Sequence, residues 1–557
     1  MKQKLKALAS LCLALALTLC LTLPAWAAGD GAAAGQRITQ ETKGSITLNL
    51  GDEEADTVTS VTAYKVIRVD YQYPTGDDNY EAPKDPEFFW VDDVADWVRK
   101  SYPAYIGTDD SVQDDFADAN DAAIKDFFDA LAANVEELEP AETPMNVEGS
   151  TASLDTGMGG YLILVAGGTK IYSPVFVSLE AVYKNNSWEI ENKIVNVKAE
   201  NLTINKYVKE TVGGIETEKA KAGISDTVYF VLEADVPSYP NNAANKTYAI
   251  SDILPSGMTL SNSNIAVEGC KDDGTDDVLN NTPENQIWTQ DTQRPVTNTD
   301  QTTFTLHFVY DKIKSYDKIR VTYSAELNKL AQTGPSGNIN KAYLDYSRDP
   351  HAGTDSLLTA EDTTTTFTYG IQVTKKGESS GEGQEEPFLT DAVFTLKKAD
   401  TNEPEISFVN TGDGSYRVAD SKDADAVKTK ELTVGESEPM KGILKLSGLN
   451  VGEYLLTEVQ APAGYNKLSA PISINIQDDK AGTDSGPDGK PEYTDSEKNT
   501  KAEAADGYVP VTVINTQGFT LPTTGGMGTV LFTAGGVVLM GAGLVLLVVF
   551  LRRRRAK

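Results

Sequence analysis

The chain has 557 residues, with 49 Lys and Arg against 82 Asp and Glu, and a formal net charge of −33. This acidity argues against nucleic acid as a partner, because proteins that bind nucleic acid neutralise its phosphates with Lys and Arg. The two histidines, His307 and His351, lie in no ligand-like cluster. We therefore expect no Ser-His-Asp hydrolase, no metal site and no cofactor.

The N-terminus has the pattern of an export signal. Lysines at positions 2, 4 and 6 precede an apolar run that ends at Leu23, and the small residues Ala25 and Ala27 follow. A basic segment, an apolar segment and a small-x-small site are typical of secretory signal peptides. We expect residues 1–27 to be removed by cleavage after Ala27, with an uncleaved anchor helix as the alternative.

Cysteine usage limits how the exported chain is stabilised. Cys12 and Cys20 lie in the signal, which leaves Cys270 as the single thiol of the mature protein. One cysteine cannot form an intramolecular disulfide, which is the usual covalent staple of secreted proteins. The mature chain therefore invites a search for another kind of cross-link.

The residues between the two ends predict an all-β fold. Short segments of alternating polarity are separated by Gly, Asn, Asp and Pro, which is typical of tandem immunoglobulin-like β-sandwiches. These segments are Ser45–Leu50, Val58–Val69, Thr227–Leu232, Thr303–Val309, Lys318–Ala325, Val393–Leu396, Tyr454–Val459 and Val511–Ile514. Helical spacing is confined mainly to Asp93–Lys100 and Asp121–Leu138, which predicts a small helical insertion in the first domain.

Changes in composition predict where the domains begin and end. We expect an N-terminal domain at 28–200, a middle domain at 201–366, a C-terminal domain at 367–517 and a terminal segment at 518–557. The second boundary follows from the threonine-rich stretch Thr363–Thr368. The acidic segments Lys271–Thr303 and Gln477–Gly507 are predicted to be loop-like inserts.

The C-terminus combines three features. The residues Leu521-Pro522-Thr523-Thr524-Gly525 precede the apolar stretch Thr529–Leu551 and the four arginines 552–555. The apolar stretch is long enough to span a bilayer, and the arginines hold its end in the cytoplasm. Together the features resemble the cell-wall sorting signal of Gram-positive surface proteins. This resemblance implies a sortase whose cysteine attacks the Thr524 carbonyl and releases Gly525 onward; the alternative is an ordinary single-pass protein.

Two predicted domains each place a lysine, an acid and an asparagine among core-facing residues. Alternate residues of a strand share a face, and the following polar residues share theirs with apolar neighbours: Lys206, Asp252 and Asn340, then Lys375, Glu458 and Asn515. Buried charges are costly, at several kcal/mol per ion. The repeated combination therefore calls for a chemical explanation.

These residues resemble the backbone pilins of sortase-assembled Gram-positive pili. The middle domain is similar to the CnaA-type module and the third to the CnaB-type module, on the segments Asn205-Lys206, Tyr248–Pro255, Gly337–Ala342, Val373–Lys375, Ala392–Leu396, Thr457–Tyr465 and Val513–Thr516. The resemblance implies an isopeptide bond between Lys375 and Asn515 beside a catalytic Glu458. It implies a second bond between Lys206 and Asn340 beside Asp252, with Asn338 as the alternative asparagine.

The chemistry of such a bond is coherent. Burial lowers the pKa of a lysine, which leaves a neutral nucleophile, and raises the pKa of a carboxyl group, which leaves a proton donor. The acid can then bond the asparagine carbonyl and pass protons while ammonia leaves. The product is a neutral amide, formed once per domain, so the chain would modify itself without being a turnover enzyme.

The resemblance also implies an exposed lysine that accepts the next subunit from sortase. The corresponding stretch is Trp188–Ala199, in which Lys198 follows Val195-x-Val197 but the Tyr-Pro pair of the family motif is missing. We expect Lys198 to be the acceptor, with Lys193 as the alternative. An ordinary linker lysine is the non-functional interpretation.

The resemblance also implies that the first domain lacks an internal bond. Its opening strand, Ser45–Leu50, contains no lysine. Lys65 and Asn196 lie at core-facing parity, however, so a bond between them stays open at this point.

The resulting expectation is a secreted, wall-anchored shaft subunit of a surface pilus that supports adhesion and colonisation. Sortase would join Thr524 of one copy to Lys198 of the next, after transient retention in the membrane. The implied partners are sortase, further copies, tip and base pilins, peptidoglycan and a host surface ligand. The alternatives are a minor basal or accessory pilin and a monomeric wall-anchored adhesin. A hydrolase has weak support, because no nucleophile–base pair stands out.

Overall fold

The described part of the chain covers most of the molecule. The computed structural model describes residues 42–51, 58–72, 84–138, 140–168, 170–184, 187–239, 243–261, 265–296, 301–348, 357–379, 384–399, 402, 404–479, 486–495, 500–518 and 528–554. The predicted signal, 1–27, and the sorting motif, Leu521–Gly525, lie outside these residues.

The described N-terminal residues form two larger sheets, two two-stranded sheets and three helices. Its strands are β1 (Gly44–Asn49), β2 (Val58–Gln72), β3 (Lys84–Trp90), β4 (Glu142–Pro144), β5 (Asn146–Glu148), β6 (Thr151–Thr156), β7 (Gly159–Gly167), β8 (Ile171–Tyr172), β9 (Val175–Leu179), β10 (Ala181–Lys184), β11 (Ser187–Ile190), β12 (Lys193–Asn196) and β13 (Ala199–Glu200). The helices are α1 (Asp92–Ser101), α2 (Asp114–Ala117) and α3 (Asp121–Leu138), with a 3-10 turn at Pro103–Tyr105. One larger sheet has the order β12-β1-β6-β5, and the other has β3-β2-β7-β9 with β4 beside β2. The two-stranded sheets are β10-β11 and β13-β8.

Helix α3 packs its apolar stripe onto the first core. Phe127, Leu131 and Val135 recur at helical spacing and are fully buried. The Phe127 ring lies 5.3 Å from the Trp90 ring at the end of β3. The predicted helical insertion is therefore confirmed, and the short helix α2 is an addition that the sequence pattern did not indicate.

The middle region is a sandwich of two six-stranded sheets. Its strands are β14 (Ile204–Lys209), β15 (Lys219–Lys221), β16 (Thr227–Asp235), β17 (Tyr248–Ile253), β18 (Met258–Leu260), β19 (Ala266–Cys270), β20 (Asp276–Val278), β21 (Trp288–Asp291), β22 (Phe304–Phe308), β23 (Lys318–Leu327), β24 (Asn338–Ser347) and β25 (Leu357–Phe367), with the helical turn α4 (Tyr310–Ile313). One sheet has the order β14-β16-β23-β19-β20, with β18 beside β23. The other has the order β15-β25-β24-β17-β22-β21.

The third region is a second sandwich. Its strands are β26 (Tyr369–Gly377), β27 (Val393–Lys398), β28 (Phe408–Gly412), β29 (Ser415–Val418), β30 (Lys428–Thr429), β31 (Leu432–Thr433), β32 (Ile443–Leu449), β33 (Gly452–Gln460), β34 (Ile472–Ile476), β35 (Glu492–Asp495), β36 (Thr500–Glu503) and β37 (Tyr508–Asn515), with a 3-10 turn at Asp425–Val427. The sheets have the orders β30-β28-β29-β32-β26-β37 and β31-β27-β33-β34, and β35 pairs with β36. A final helix, α5 (Gly528–Arg554), follows.

The all-β prediction is confirmed, and two local expectations are corrected. The acidic segment Lys271–Thr303 contains β20 and β21, and Gln477–Gly507 contains the hairpin β35–β36, so neither is wholly a loop. The threonine-rich residues Thr363–Phe367, at the predicted second boundary, belong to β25. In each case backbone pairing with a neighbouring strand stabilises a polar sequence that has no apolar alternation of its own.

Three separate hydrophobic cores lie along the chain, spanning Ile46–Ile190, Ile171–Tyr346 and Phe367–Val513. Ile171 packs in the second core although it precedes the predicted boundary at 200, because β8 pairs with β13 at the junction. The domain boundaries themselves stay a prediction.

The second and third cores are joined by a tight contact. Ile224 is 5% exposed, and its backbone N–H donates to the carbonyl oxygen of Gly448 at 2.9 Å. A Cβ on Gly448 would lie 2.4 Å from Ile224 Cδ1, and its φ of +83° also favours glycine. Asn450 Nδ2 donates to Asp226 Oδ2 at 2.8 Å across the same contact.

Candidate cross-linking sites and wall anchor

In the third domain, the lysine and the asparagine lie on neighbouring strands. β26 and β37 run parallel, with Lys375 opposite Val513 and Gly377 opposite Asn515. Lys375 and Asn515 are therefore two positions apart on one face of the sheet. Lys375 is fully buried and Asn515 is 1% exposed. The strand order thus places the predicted partners within the same core.

Glu458 reaches this pair from β33 in the opposing sheet. Asn515 Nδ2 donates to the two Glu458 carboxyl oxygens at 3.0 and 3.1 Å, and to the Asn466 carbonyl oxygen at 2.7 Å. The backbone N–H of Leu468 donates to Glu458 Oε2 at 2.8 Å and fixes the carboxyl group. The acid therefore contacts the nitrogen that would leave as ammonia.

Lys375 is set up as a nucleophile. Its Nζ donates to the carbonyl oxygens of Lys376 at 3.1 Å and Val513 at 3.3 Å. Burial lowers the pKa of Lys375 to about 8, although the charge of Glu458 opposes this shift. A pKa near 8 leaves about one amine in ten neutral at pH 7.

In the middle domain, the candidate groups meet from opposite sheets. Lys206 and Tyr323 project from β14 and β23 of one sheet, and Asp252 and Asn340 project from β17 and β24 of the other. Lys206 Nζ pairs with Asp252 Oδ2 and donates to the Tyr323 hydroxyl at 2.9 Å. The Tyr323 hydroxyl donates to Asp252 Oδ2 and accepts from Asn340 Nδ2 at 2.8 Å.

Burial controls the protonation of this site. Lys206, Asp252 and Asn340 are all fully buried. Desolvation lowers the pKa of Lys206 and raises the pKa of Asp252, while their mutual attraction acts in the opposite direction. Asp252 Oδ1 and Asn340 Oδ1 are buried without a hydrogen-bond partner. A buried unpaired polar group costs about 1–3 kcal/mol, so these two oxygens destabilise the site as it stands.

The alternative asparagine is engaged elsewhere. Asn338 Oδ1 accepts from the backbone N–H of Gln332 at 2.9 Å. Its Nδ2 donates to the carbonyl oxygens of Gln332 at 3.2 Å and Thr366 at 3.1 Å. These bonds hold a loop against β25, whereas Asn340 contacts Tyr323 at the lysine, so the geometry favours Asn340.

The two candidate acceptor lysines differ in accessibility. Lys198 is exposed between β12 and β13, while Val195 and Val197 pack against the first core. Lys193 lies within β12 and pairs with Glu191 Oε2 at 2.7 Å. Within the described chain, the Lys198 side chain makes no hydrogen bond or ion pair. Lys198 is thus the freer of the two amines.

The structure does not bring Lys65 and Asn196 of the first domain together. Asn196 is exposed and accepts from Asn49 Nδ2 at 2.7 Å in the β1–β12 sheet. Lys65 lies in the other sheet, with its Nζ over the Tyr161 ring at 5.9 Å from the ring centroid. Nothing in this geometry supports a bond between them.

The C-terminal helix fits the membrane part of an anchor. Within α5, residues Phe532–Arg554 form a stretch long and apolar enough to cross a bilayer. Its last turn carries Arg552, Arg553 and Arg554. Among the described residues, no group of three or more His, Cys, Asp or Glu side chains could hold a metal ion.

Comparisons with known proteins agree with this organisation. Residues 370–488 match the SpaA family model, described as a prealbumin-like fold domain, and residues 514–557 match the LPXTG cell wall anchor motif. The trypsin-resistant surface T6 protein of Streptococcus pyogenes serotype M6 is 25% identical over 441 residues, covering 69% of this chain and 78% of that protein. The chain is an LPXTG-anchored protein similar to backbone pilins. It is therefore a cell wall-anchored surface protein.

Solved structures extend the comparison of the fold. The T6 backbone pilin of serotype M6 S. pyogenes superposes on this LPXTG-anchored protein with a TM-score of 0.53 at 16% identity, covering 86% of this chain and all of that one. The full-length major pilin SpaD of Corynebacterium diphtheriae gives a TM-score of 0.42 at 17% identity, covering 87% and 99%. The first of these supports the modular all-β architecture.

Sequence reasoning missed one side chain in this LPXTG-anchored protein. Tyr323 was not singled out, although it alternates with Ile319, Val321 and Ala325 on the inward face of β23. A tyrosine at such a position buries a hydroxyl that needs a partner, which was the available signal. The backbone carbonyl of Asn466 accepts from Asn515 and the backbone N–H of Leu468 donates to Glu458, and the sequence carries no signal for either contact.

Proposed function

We propose that this protein is the shaft subunit of a covalently polymerised pilus. Sortase would join Thr524 of one copy to Lys198 of the next, and internal bonds Lys206–Asn340 and Lys375–Asn515 would stabilise each copy. The observation that carries the proposal is the pair of buried lysine–acid–asparagine sites in a wall-anchored chain. Two such sites in consecutive domains serve durability rather than turnover.

Each internal bond would form by the same balanced exchange. The lysine first passes one proton to the acid, which leaves a neutral amine and a neutral carboxyl group. The amine nitrogen then bonds to the asparagine Cγ, the Cγ–Nδ2 bond breaks, and a further proton lost by Nζ leaves with Nδ2 as ammonia. The acid ends protonated beside a neutral amide. Proximity in a folded core supplies the rate, because the reacting groups are held in place.

The acceptor assignment is supported by exposure and orientation. Lys198 is exposed, and its neighbours Val195 and Val197 anchor the backbone in the first core. The backbone carbonyl of Lys198 also accepts from the N–H of Ser173 at 3.0 Å. A fixed backbone and a free amine are what an external transpeptidase needs from an acceptor.

An immunoblot of wall extracts tests the proposal. Cell walls digested with a muralytic enzyme and boiled in detergent should show a ladder of high-mass species that contain this protein. A single band at the mass of one subunit would overturn the shaft assignment and favour a monomeric adhesin. A single adduct with a different pilin would instead indicate a basal or accessory subunit.

A further inference from the structure

The hydroxyl of Tyr323 occupies a special place in the middle domain. It accepts from Lys206 Nζ at 2.9 Å and from Asn340 Nδ2 at 2.8 Å, and it donates to Asp252 Oδ2. A phenol has one hydrogen to donate and two lone pairs to accept with, so all of its capacity is used. The Tyr323 hydroxyl oxygen is therefore hydrogen-bonded to both the attacking nitrogen and the leaving nitrogen of the proposed reaction.

The ring that carries this hydroxyl is held on both sides. Tyr323 is 5% exposed and stacks on Phe230 with 5.1 Å between ring centroids and 22° between planes. Phe304 contacts it edge-on at 5.1 Å and 81°. Lys206 Nζ lies 5.2 Å from the Phe230 centroid, so the same aromatic wall positions the lysine. Packing of the ring therefore holds the hydroxyl in place together with its hydrogen bonds.

We propose that Tyr323 is a catalytic residue that relays a proton from Lys206 to the leaving nitrogen of Asn340. This inference rests on the proposed function, because it concerns the formation of the Lys206–Asn340 bond. As the Cγ–Nδ2 bond breaks, the hydroxyl gives its hydrogen to Nδ2 and takes one from Nζ. Ammonia leaves, the new amide keeps one hydrogen on Nζ, and the tyrosine returns to its starting state.

The geometry around Asp252 explains why a relay is needed. In the described chain, no hydrogen bond joins the Asp252 carboxyl group to the Asn340 amide, and Asp252 Oδ1 has no partner. In the third domain, by contrast, Asn515 Nδ2 contacts both oxygens of Glu458 directly. The acid can protonate the leaving nitrogen in the third domain, whereas in the middle domain Tyr323 lies between them.

The protonation state of the tyrosine fits this role. Burial and the neighbouring Asp252 charge raise the pKa of Tyr323 well above its ordinary value of 10.0. The phenol therefore keeps its hydrogen over the physiological range and is available as a donor. It does not compete with Asp252 for the first proton that Lys206 releases.

The test follows bond formation in the mature form, residues 28–524, during a pulse of cell-free synthesis. Samples are quenched in acid, and mass spectrometry of tryptic digests scores the peptide that contains both Lys206 and Asn340. Tyr323→Phe removes the hydroxyl but keeps the ring. We expect this variant to form the middle-domain bond about 100-fold more slowly than the parent, since general acid–base catalysis contributes 10²–10⁴-fold.

Two controls isolate the relay. Tyr248→Phe removes another buried hydroxyl of the same core, which donates to the Ala234 carbonyl oxygen at 3.3 Å, and should leave the rate unchanged. The Lys375–Asn515 bond in each sample should form at the parental rate and reports folding of the neighbouring domain. If Tyr323→Phe does not fold, difluorotyrosine at position 323 keeps the hydroxyl while lowering its pKa. The relay then predicts that the rate of Lys206–Asn340 bond formation differs from that of the parent.

The outcomes separate the two proposals. A Tyr323→Phe chain, or a difluorotyrosine chain, that forms the Lys206–Asn340 bond as fast as the parent would overturn the relay and leave the cross-link intact. A parent chain without that bond would overturn the cross-link itself. Slow formation in Tyr323→Phe with parental rates in Tyr248→Phe supports the relay.

Discussion

Two lysine side chains that are completely excluded from water require a compensating chemistry. Lys206 and Lys375 each have 0% exposure, which is rare for an amine on a long flexible stem. Desolvation opposes the charged form, while the neighbouring acids favour it. Conversion to an amide removes the conflict, because neither product carries a charge. At the scale of the residue, the cross-link is thus the state in which burial is no longer costly.

The role of Glu458 in bond formation can be tested by measuring the mass of the protein. The parent fragment 28–517 should weigh less than its sequence by two molecules of ammonia, one per bond. Glu458→Gln keeps the shape of the side chain but cannot donate a carboxyl proton, so it should lose one ammonia only. Glu453→Gln, an exposed position on the same strand, is the matched control and should lose two. Intact-mass spectrometry reads the result, and a parent at its full sequence mass would contradict the prediction.

The role of Lys375 can be tested by varying pH in a chain that cannot form the bond of the third domain. In Asn515→Ala, Lys375 stays an amine whose pKa is lowered from 10.5 to about 8 by burial. The unfolded chain then binds more protons between these two values, so the stability of the third domain rises with pH in that window. In the parent the same nitrogen is an amide and does not titrate. Melting curves should therefore show that the difference in melting temperature between parent and variant becomes smaller from pH 8 to pH 10.

A constant gap in melting temperature across that range would show that Lys375 does not titrate in the folded variant. Lys375→Ala combined with Asn515→Ala removes the titrating amine and is the matched control. Its difference in melting temperature from the parent should not depend on pH.

At the scale of the element, the parallel pairing of β26 with β37 joins the first and last strands of the third domain. Parallel neighbours cannot be connected by a tight turn, so this contact is among the most non-local in the domain. A bond between Lys375 and Asn515 would hold the pairing closed in the folded and the unfolded chain. With this bond the domain would gain stability because the unfolded chain would lose conformational freedom.

Breaking that bond should lower the melting temperature of the third domain. Closing a loop of this length is worth about 5 kcal/mol, which corresponds to a fall of about 10–20 °C in melting temperature for a domain of this size. Glu458→Gln, followed by calorimetry and by trypsin digestion, should show the lower transition and earlier cleavage within 477–507. An amide is not reduced by dithiothreitol, so the parent should be equally resistant with and without it. If the unlinked variant resisted trypsin as well as the parent does, the bond would not be what stabilises the third domain.

The sequence predicted the strands that carry an apolar alternation and missed those that depend on a partner. Lys206 and Lys375 were found because an inward lysine interrupts an apolar face. β20 and β35 were missed because they are short and lack an apolar alternation, and each is stabilised by pairing with a strand next to it in the chain. The role of Tyr323 was not predicted, because a buried tyrosine is common in a core. Its hydroxyl partners lie on three other strands, which only the structure brings together.

At the scale of the whole molecule, three cores follow one another from the N-terminus to the anchor helix. The second and third are held together where Ile224 packs on Gly448. The first carries the exposed Lys198 near its end, and the sorting signal lies at the far end of the chain. In a head-to-tail polymer, the covalent path between successive junctions would run from Lys198 to Thr524. It would contain the second and third cores, and the first core would precede the acceptor lysine.

The junction itself can be tested by a substitution that preserves charge. Lys198→Arg removes the primary amine, so the high-mass ladder should disappear while both internal bonds and the monomer persist. Lys193→Arg is the matched control and should polymerise as the parent does, because that lysine pairs with Glu191. Immunoblots of wall extracts give the result. A ladder lost in Lys193→Arg and kept in Lys198→Arg would reverse the assignment.

The adjacency of the first and last strands of the third domain has a mechanical consequence. The chain enters this domain along β26 and leaves it along β37. Tension applied to a fibre would pass from residue 375 to residue 515 directly through the new amide, so residues 376–514 would carry no load. Insertions in that slack segment, including the β35–β36 hairpin, would leave the tensile strength of the fibre unchanged. The third domain could thus diversify its exposed surface without weakening the shaft.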